Sequence, residues 1–200
     1  MGLQSPKTTN QCFPNQKRAN QMTSSNQVEI DNEGNSYLVT EYIQESHRIE
    51  EDSIYSAKGH YNAAAIWRWV HLWIGIPNTI LAAVAGVSAF ANYPVFAGFL
   101  TVVVAALSAI ATFLNPSERE SIHKKCAGEY HALRNQSRIF RNITTKRLSN
   151  SIDDLNAAFE CLIAKRDDLN ATSPQIPKRA FHKARQGIEE GEATYKEDKS

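Results

Sequence analysis

The stretch that decides the fold runs from Val70 to Leu114 and reads VHLWIGIPNTILAAVAGVSAFANYPVFAGFLTVVVAALSAIATFL. It contains no Asp, Glu, Lys or Arg, although the whole chain has a slightly negative mean hydropathy and a formal net charge of +1. One helical crossing of a bilayer needs about 20 predominantly apolar residues. The stretch is therefore long enough for two crossings and too long for one buried core helix.

Turn residues divide this stretch into two spans. The tetrapeptide Ala91-Asn92-Tyr93-Pro94 contains Asn and Pro, which favour turns. We therefore predict one transmembrane helix over residues 70–91 and a second over 95–114, about 33 Å and 30 Å long. The predicted fold class is an all-α membrane protein, built on a two-helix transmembrane hairpin with cytoplasmic helices before and after it.

Aromatic residues mark both ends of the predicted hairpin. Trp67, Trp69 and Trp73 lie where the first span begins, and Tyr93 lies in the turn. Such side chains prefer the membrane–water interface because they join an apolar ring to a polar group. We interpret these four residues as interface anchors.

Basic residues flank the hairpin, whereas its turn has none. Arg119, Lys124 and Lys125 follow the second span closely, and residues 115–148 hold eight Lys or Arg against three Asp or Glu, a net charge of +5. The positive-inside rule then predicts a multi-pass protein of the plasma (inner) membrane with both termini cytoplasmic. The same charge is either ordinary topological flanking charge or a binding surface for anionic lipid headgroups.

The remaining chain divides by composition. Residues 1–36 are polar and few are large and apolar, so we predict a disordered tail. Residues 37–69 have a loose helical period and are predicted to form a cytoplasmic helix. Two heptad-like apolar stripes within 117–170 predict a coiled-coil-like cytoplasmic helical hairpin, and 176–195 a charged C-terminal helix.

Small and hydroxylated residues form a stripe along the second span. The stripe steps by three or four residues and consists of Gly98, Thr101, Ala105, Ser108 and Thr112. On the first span, a comparable stripe includes Asn78, the only amide inside either span. Such stripes mark faces where membrane helices pack closely.

A second interpretation of the stripe is that part of it lines a water-filled pore. Thr101, Ser108 and Thr112 would then supply the hydroxyl groups. Two spans cannot enclose a conduit alone, so this interpretation requires a homo-oligomer within the lipid bilayer.

The sequence offers no constellation for catalysis. It lacks a Gly-rich phosphate loop, HExxH, GxSxG and CxxC. We interpret His71 as an interfacial side chain, and His123 and His131, eight residues apart, do not form a pair on one helical face. We therefore predict a protein that is not an enzyme, with no catalytic or metal-binding residues, no cofactor and no nucleic-acid partner.

Two segments resemble the SLATT family, the SMODS- and SLOG-associating two-transmembrane effector domains. They are NPSERESIHKKCAGEYHALRNQSRIF at 115–140 and PQIPKRAFHKARQGIEEGEATYK at 174–196. The resemblance covers about residues 37–197 and is architectural rather than catalytic. The residues that carry it are Pro116, His123, Tyr130, Leu133, Arg138, Ile188, Gly191 and Tyr195.

The resemblance implies a pore-forming effector of microbial conflict and antiviral defence systems. In that family the domain is often paired with a nucleotide-second-messenger synthase or a nucleotide-sensing domain, and activation permeabilises the membrane. This chain carries no fused sensor, so we expect the trigger to be a separate protein or a soluble nucleotide signal. The alternative expectation is a non-conducting membrane scaffold that recruits a cytoplasmic partner.

Overall fold

The computed structural model describes residues 25–148 and 151–193, and within these ranges it is helical with no strand. The predicted all-α class is confirmed for this part of the chain. Short connections and a π-helical segment, Phe140–Thr144, separate the helices. The helices are α1 (Ser25–Phe90), α2 (Pro94–Leu114), α3 (Pro116–Ile139), α4 (Thr145–Arg147), α5 (Ile152–Thr172) and α6 (Lys178–Glu189).

Helix α1 is longer than predicted. It begins at Ser25, so residues 25–36 are helical rather than part of a disordered tail, and residues 1–24 lie outside the described residues. Once a helix is nucleated, each added residue gains one hydrogen bond, so a polar segment can extend it. The 66 residues of α1 run without interruption into the predicted first span, over about 100 Å.

Left-handed asparagines end the two apolar helical segments. Asn92 has φ 59°, and the Tyr93 amide donates to the Ser88 carbonyl at 3.0 Å, which closes the last turn of α1. Asn115 has φ 42° and its amide donates to Ala111 at 3.0 Å. Asparagine adopts this conformation at a lower cost than most residues because its short polar side chain bonds locally.

Prolines open the helices that follow these asparagines. Pro94 begins α2 and Pro116 begins α3, because the fixed φ of proline suits the first helical position. Helix α3 therefore starts one residue earlier than the predicted 117–170 segment.

Helix α6 is shorter than the predicted 176–195 helix. Gly191 has φ 89°, the Glu192 amide donates to the Gly187 carbonyl at 3.0 Å, and the Gly191 amide donates to Ile188 at 2.9 Å. This is the Schellman arrangement, which ends a helix because only glycine enters the left-handed region freely. Helix α6 therefore ends at Glu189, and residues 194 and 195 lie outside the described residues.

Contacts divide the chain into two units. The first combines the chain up to Ile54 with Tyr130–Thr172, and the second combines Tyr55–Glu129 with the chain from Ser173 onward. Helices α1 and α3 pass through both units.

The first unit packs three helices around an apolar core. Ile49, Leu133 and Leu155 are fully buried. The Phe140 and Phe159 rings lie with centroids 5.6 Å apart. Leu133, Phe140, Leu155 and Phe159 belong to the two apolar stripes within 117–170 that predicted helix packing.

Helices α3 and α5 run antiparallel in this unit. The Tyr130 hydroxyl donates to Asn170 at 2.9 Å and Lys165 donates to Gln136 at 3.1 Å. A later residue of α3 thus contacts an earlier residue of α5. Fully buried serines on α1 and α3 bond to their own helix, as in Ser53 to Ile49 at 2.6 Å, which lets backbones approach closely.

The second unit contains the apolar segments. Two helices are long and apolar enough to cross a membrane, and only 6% and 11% of the residues in their most apolar windows are buried. The core helix of a water-soluble protein would be mostly buried over such a window. The apolar surface of the second unit is therefore exposed rather than packed into a core.

Candidate functional site in the second unit

One face of α1 contacts α2 in the second unit. Its less exposed residues step by four and three along the helix and are Ile74, Asn78, Leu81, Ala85 and Ser88. Ala97 and Leu100 are buried on α2, and Asn78 Nδ2 donates to Ser108 Oγ at 2.9 Å. The other side-chain atom of that amide, Asn78 Oδ1, is buried and has no hydrogen-bond partner among the described residues.

The predicted small-residue stripe of α2 mostly lies outside this contact. Ser108 joins it, whereas the remaining members are exposed: Gly98, Thr101, Ala105 and Thr112. In the single chain these four residues do not lie at the α1–α2 contact, and the packing of this stripe against neighbouring helices stays a prediction. Helix rotation places Ala97 and Leu100 at the contact instead.

The exposed hydroxyls of the stripe bond to their own helix. Thr101 Oγ1 donates to the Ala97 carbonyl at 2.8 Å, and Thr112 Oγ1 donates to the Ser108 carbonyl at 2.9 Å. This back-bonding satisfies the donor of each hydroxyl without a partner helix. The face can therefore lie against lipid, and its oxygen atoms still accept hydrogen bonds from water.

The predicted interface anchors differ in their surroundings. Trp67 is half-buried, and the Arg119 guanidinium lies 4.9 Å from its ring centroid. Trp69 and Trp73 are 57% and 73% exposed, and Tyr93, in the turn between α1 and α2, is 66% exposed. Cation–π geometry thus fixes one anchor, while the other three are available to an interface.

Neighbouring acidic side chains form ion pairs with part of the predicted basic flank. Lys124 pairs with Glu120 at 2.6 Å and Lys125 with Glu129 at 3.9 Å, each one turn apart on α3. Arg119 Nε donates to the Leu114 carbonyl at 2.9 Å, at the end of α2. The flank therefore caps and stabilises local structure in addition to carrying positive charge.

A buried histidine pair joins α1 to α3. His60 and His123 are 2% and 5% exposed, and their Nδ1 atoms lie 2.9 Å apart. Sequence reasoning missed this pair because 63 residues separate its members. The available signal is the small residues at helical spacing beside each histidine, where Ala63 and Ala127 are fully buried and leave room for a ring.

The site keeps both imidazoles neutral. Burial and then the charge of His123 lower the pKa of His60 from 6.5 to about 4. Burial and then the nearby Arg119 guanidinium lower the pKa of His123. Both effects act in the same direction because each disfavours a cation.

A cavity of about 500 Å³ reaches His123 from the junction of α2 and α3. Phe113 and Ile122 contribute apolar walls, while Asn115, Glu118 and Arg119 contribute polar groups. Among the described residues, no group of three or more His, Cys, Asp or Glu side chains could hold a metal ion. The cavity therefore offers water access to His123.

Comparison of this chain with family models, curated proteins and solved structures finds no match. The SLATT resemblance therefore stays a prediction. Of the residues that carry it, His123 lies in the buried pair, Leu133 in the core of the first unit and Gly191 at the end of α6. Tyr195 lies outside the described residues.

Proposed function

We propose that this chain is an oligomeric pore-forming membrane effector, whose two apolar segments insert as a transmembrane hairpin. The observation that carries the proposal is the exposed apolar surface of the second unit. Phe90, Val95 and Phe113 are 92%, 87% and 89% exposed on segments that lack charged residues. Large contiguous apolar surfaces of this kind mark membrane or protein contacts.

The hairpin is supported by the turn and by the amide contact. Asn78 and Ser108, which bond to each other, lie 14 and 16 residues from Asn92 in the turn. Similar distances from a turn are what two helices folding back on each other require. The uncharged turn and the basic flank support an orientation in the plasma (inner) membrane with both ends cytoplasmic.

The small residues of both helices support association with further copies. At 100° per residue, each small face lies about 90° around its helix from the α1–α2 contact, in the same rotational sense. Because hairpin helices run in opposite directions, equal rotations bring both small faces to one side of the pair. The exposed members are Ala82, Gly86 and Ala89 on α1, and Gly98, Thr101, Ala105 and Thr112 on α2.

One smooth, partly hydroxylated side suits a homo-oligomer around a pore. A Cβ atom added at Gly86 or Gly98 would meet nothing within 4 Å in the single chain, so the face is unfilled. Close backbone approach and polar contacts drive helix association in lipid. In the oligomer, Thr101 and Thr112 would present oxygen atoms to water, and a separate nucleotide-sensing or nucleotide-synthesising partner would supply the trigger.

The test is membrane potential in cells that express the chain with its candidate trigger. We expect depolarisation, and we expect Thr101→Leu with Thr112→Leu to abolish it because leucine fills the smooth face. The matched control is Val102→Leu with Phe113→Leu, two positions 68% and 89% exposed outside the small face. Membrane-inserted protein that never depolarises the cell, or equal loss in the control, contradicts the proposal.

The alternative is a non-conducting scaffold that recruits a cytoplasmic partner. The first unit favours it, because its three helices pack around a buried core and so form a helical surface that a partner could bind. A scaffold keeps its function when Thr101 and Thr112 become leucine, whereas a pore loses conductance.

A further inference from the structure

The histidine pair connects the two helices that continue the apolar segments. His60 precedes Val70 by ten residues on α1, and His123 follows Leu114 by nine, distances of about 15 Å and 14 Å along a helix. Helix α1 is continuous through this region, and one residue, Asn115, links α2 to α3. Separation at the pair would therefore be passed directly to the apolar segments.

We propose that His60 and His123 form an acid-opened latch, which holds α1 against α3 while the pair is neutral and releases it when both imidazoles are protonated.

Proton counting follows from the 2.9 Å contact between the two Nδ1 atoms. One Nδ1 must carry a hydrogen and donate, while the other must be bare and accept, so the rings hold complementary tautomers. One added proton preserves the hydrogen bond but puts a cation in a buried site. Two added protons leave N–H groups facing each other, so the bond is lost and two positive charges repel.

Among the described residues, the charged groups near the pair are mostly engaged with other partners. On α3, Glu118 lines the cavity beside His123 and accepts from Asn115, and Glu120 pairs with Lys124. Arg119, one turn before His123 on α3, opposes its protonation. On α1, Lys58 is two residues before His60 and pairs with Glu192. The chain segment 173–177, which brings Pro174 to the cavity and Ile176 against Gly59, has no ionisable side chain.

In the described part of the chain, helix α6 meets the neighbourhood of the pair through uncharged groups. It meets α1 through the Ala180 carbonyl, which accepts from Asn62 at 3.2 Å, and Ala180 and Ala184 are buried. Its Arg185 pairs with Glu189 at 2.8 Å, and this pairing together with Tyr55, five residues before His60, raises the pKa of Arg185.

The size of the switch follows from linkage. A released imidazole titrates near 6.5, whereas the pKa of His60 in the closed pair is about 4. His60 alone then shifts the open-to-closed ratio about tenfold between pH 7.5 and pH 5.5. His123 acts in the same direction, and the cavity beside it gives protons access.

The test is amide hydrogen exchange of the full chain in lipid nanodiscs, corrected for the intrinsic pH dependence. We expect opening of segments 55–66 and 119–127 to rise at least tenfold from pH 7.5 to pH 5.5. Helix α5 in the first unit should stay protected over that range, which separates latch opening from global unfolding. Opening that does not change with pH, or equal loss of protection in α5, overturns the proposal.

Variants assign the effect to the pair. His60→Gln with His123→Gln keeps hydrogen-bonding groups that do not titrate, so its opening should be independent of pH. His131→Gln, an exposed histidine on α3, is the matched control and should open as the unaltered chain does. Persistence of the acid response in the double variant, or its loss in the control, overturns the latch.

A measurement on the unaltered chain covers the case of a double variant that fails to fold. Of the six histidines, four are exposed, and only His60 and His123 are buried. In ¹⁵N-histidine spectra we expect the His60 and His123 imidazoles to remain neutral at pH 5.5. Titration of these two near pH 6.5 overturns the proposal.

Control of conductance by this latch rests on the proposed pore function, and the two are separable. Acid-dependent exchange in a chain that never conducts supports the latch and overturns the pore. Conductance in a chain whose segments 55–66 and 119–127 stay protected at every pH supports the pore and overturns the latch.

Discussion

The amide of Asn78 shows how one residue can oppose stability inside an apolar segment. Its Nδ2 bonds to Ser108, but its buried Oδ1 has no partner among the described residues. A helix–helix hydrogen bond in a membrane is worth about 0.6 kcal/mol. An unsatisfied buried acceptor costs about 1–3 kcal/mol, so the cost exceeds the gain.

We therefore expect Asn78→Val to raise the free energy of unfolding by about 1 kcal/mol. The measurement is reversible unfolding in mixed micelles. Thr79→Val is the control, because its exposed hydroxyl bonds only to Gly75 on the same helix at 2.9 Å, and its effect should be small. Destabilisation by Asn78→Val would show that the amide stabilises the contact.

Two glycines are expected to respond to alanine with opposite signs. Gly191→Ala forces a side chain into φ 89° at the end of α6 and should cost about 1 kcal/mol. Gly128→Ala lies inside α3, where an added Cβ meets nothing within 4 Å, and should gain up to about 1 kcal/mol. Thermal unfolding of both variants checks this, and a shift of the same sign in both contradicts it.

Between elements, the aromatic contacts of α5 hold the first unit together. Phe159 is 7% exposed and its ring lies 4.8 Å from Tyr42 on α1 and 5.6 Å from Phe140. Phe159→Ala should lower the free energy of unfolding by about 3–5 kcal/mol. Denaturant unfolding measures this, with Phe181→Ala, at a position 42% exposed, as the control. Equal effects of the two changes would count against this packing.

The contact between α1 and α3 makes stability depend on pH. In the folded state the pKa of His60 is about 4, below its ordinary 6.5, so the unfolded chain binds the proton first as pH falls. Stability is therefore fully present above pH 6.5 and is lost as pH falls towards 4, by about 3 kcal/mol. The lowered pKa of His123 adds to the loss.

Unfolding midpoints between pH 7.5 and pH 4.5 test this dependence. We expect the slope to be smaller in His60→Gln and unchanged in His131→Gln. A slope in His60→Gln as steep as in the unaltered chain would place the titrating groups elsewhere.

At the scale of the whole molecule, the proposed hairpin predicts which surfaces face each side of the membrane. A thiol reagent that does not cross membranes should label Tyr93→Cys in intact cells. It should label Glu160→Cys, an exposed position on α5, only after permeabilisation. The parent chain measures the labelling of native cysteines, and Glu160→Cys labelled in intact cells would contradict the orientation.

Some features of the fold could be predicted from short sequence signals. The turn after Phe90 and the end of α2 follow from Asn and Pro, whose backbone preferences act locally. The start of α1 could not be predicted, because helix extension depends on the adjoining helix rather than on residues 25–36 alone. Gly191 signals a possible end of α6, but a glycine can also continue a helix. Only the structure shows that Gly191 adopts the left-handed conformation that ends it.

The sequence alone determined that this chain carries two apolar helical segments, because an absence of charge from Val70 to Leu114 is a property of consecutive residues. Only the tertiary structure decided which faces meet. A helix repeats its small residues on more than one face, and rotation selected Ala97 and Leu100 over Thr101. It also brought His60 to His123 across 63 residues, since burial and hydrogen bonding between distant side chains depend on how the helices pack.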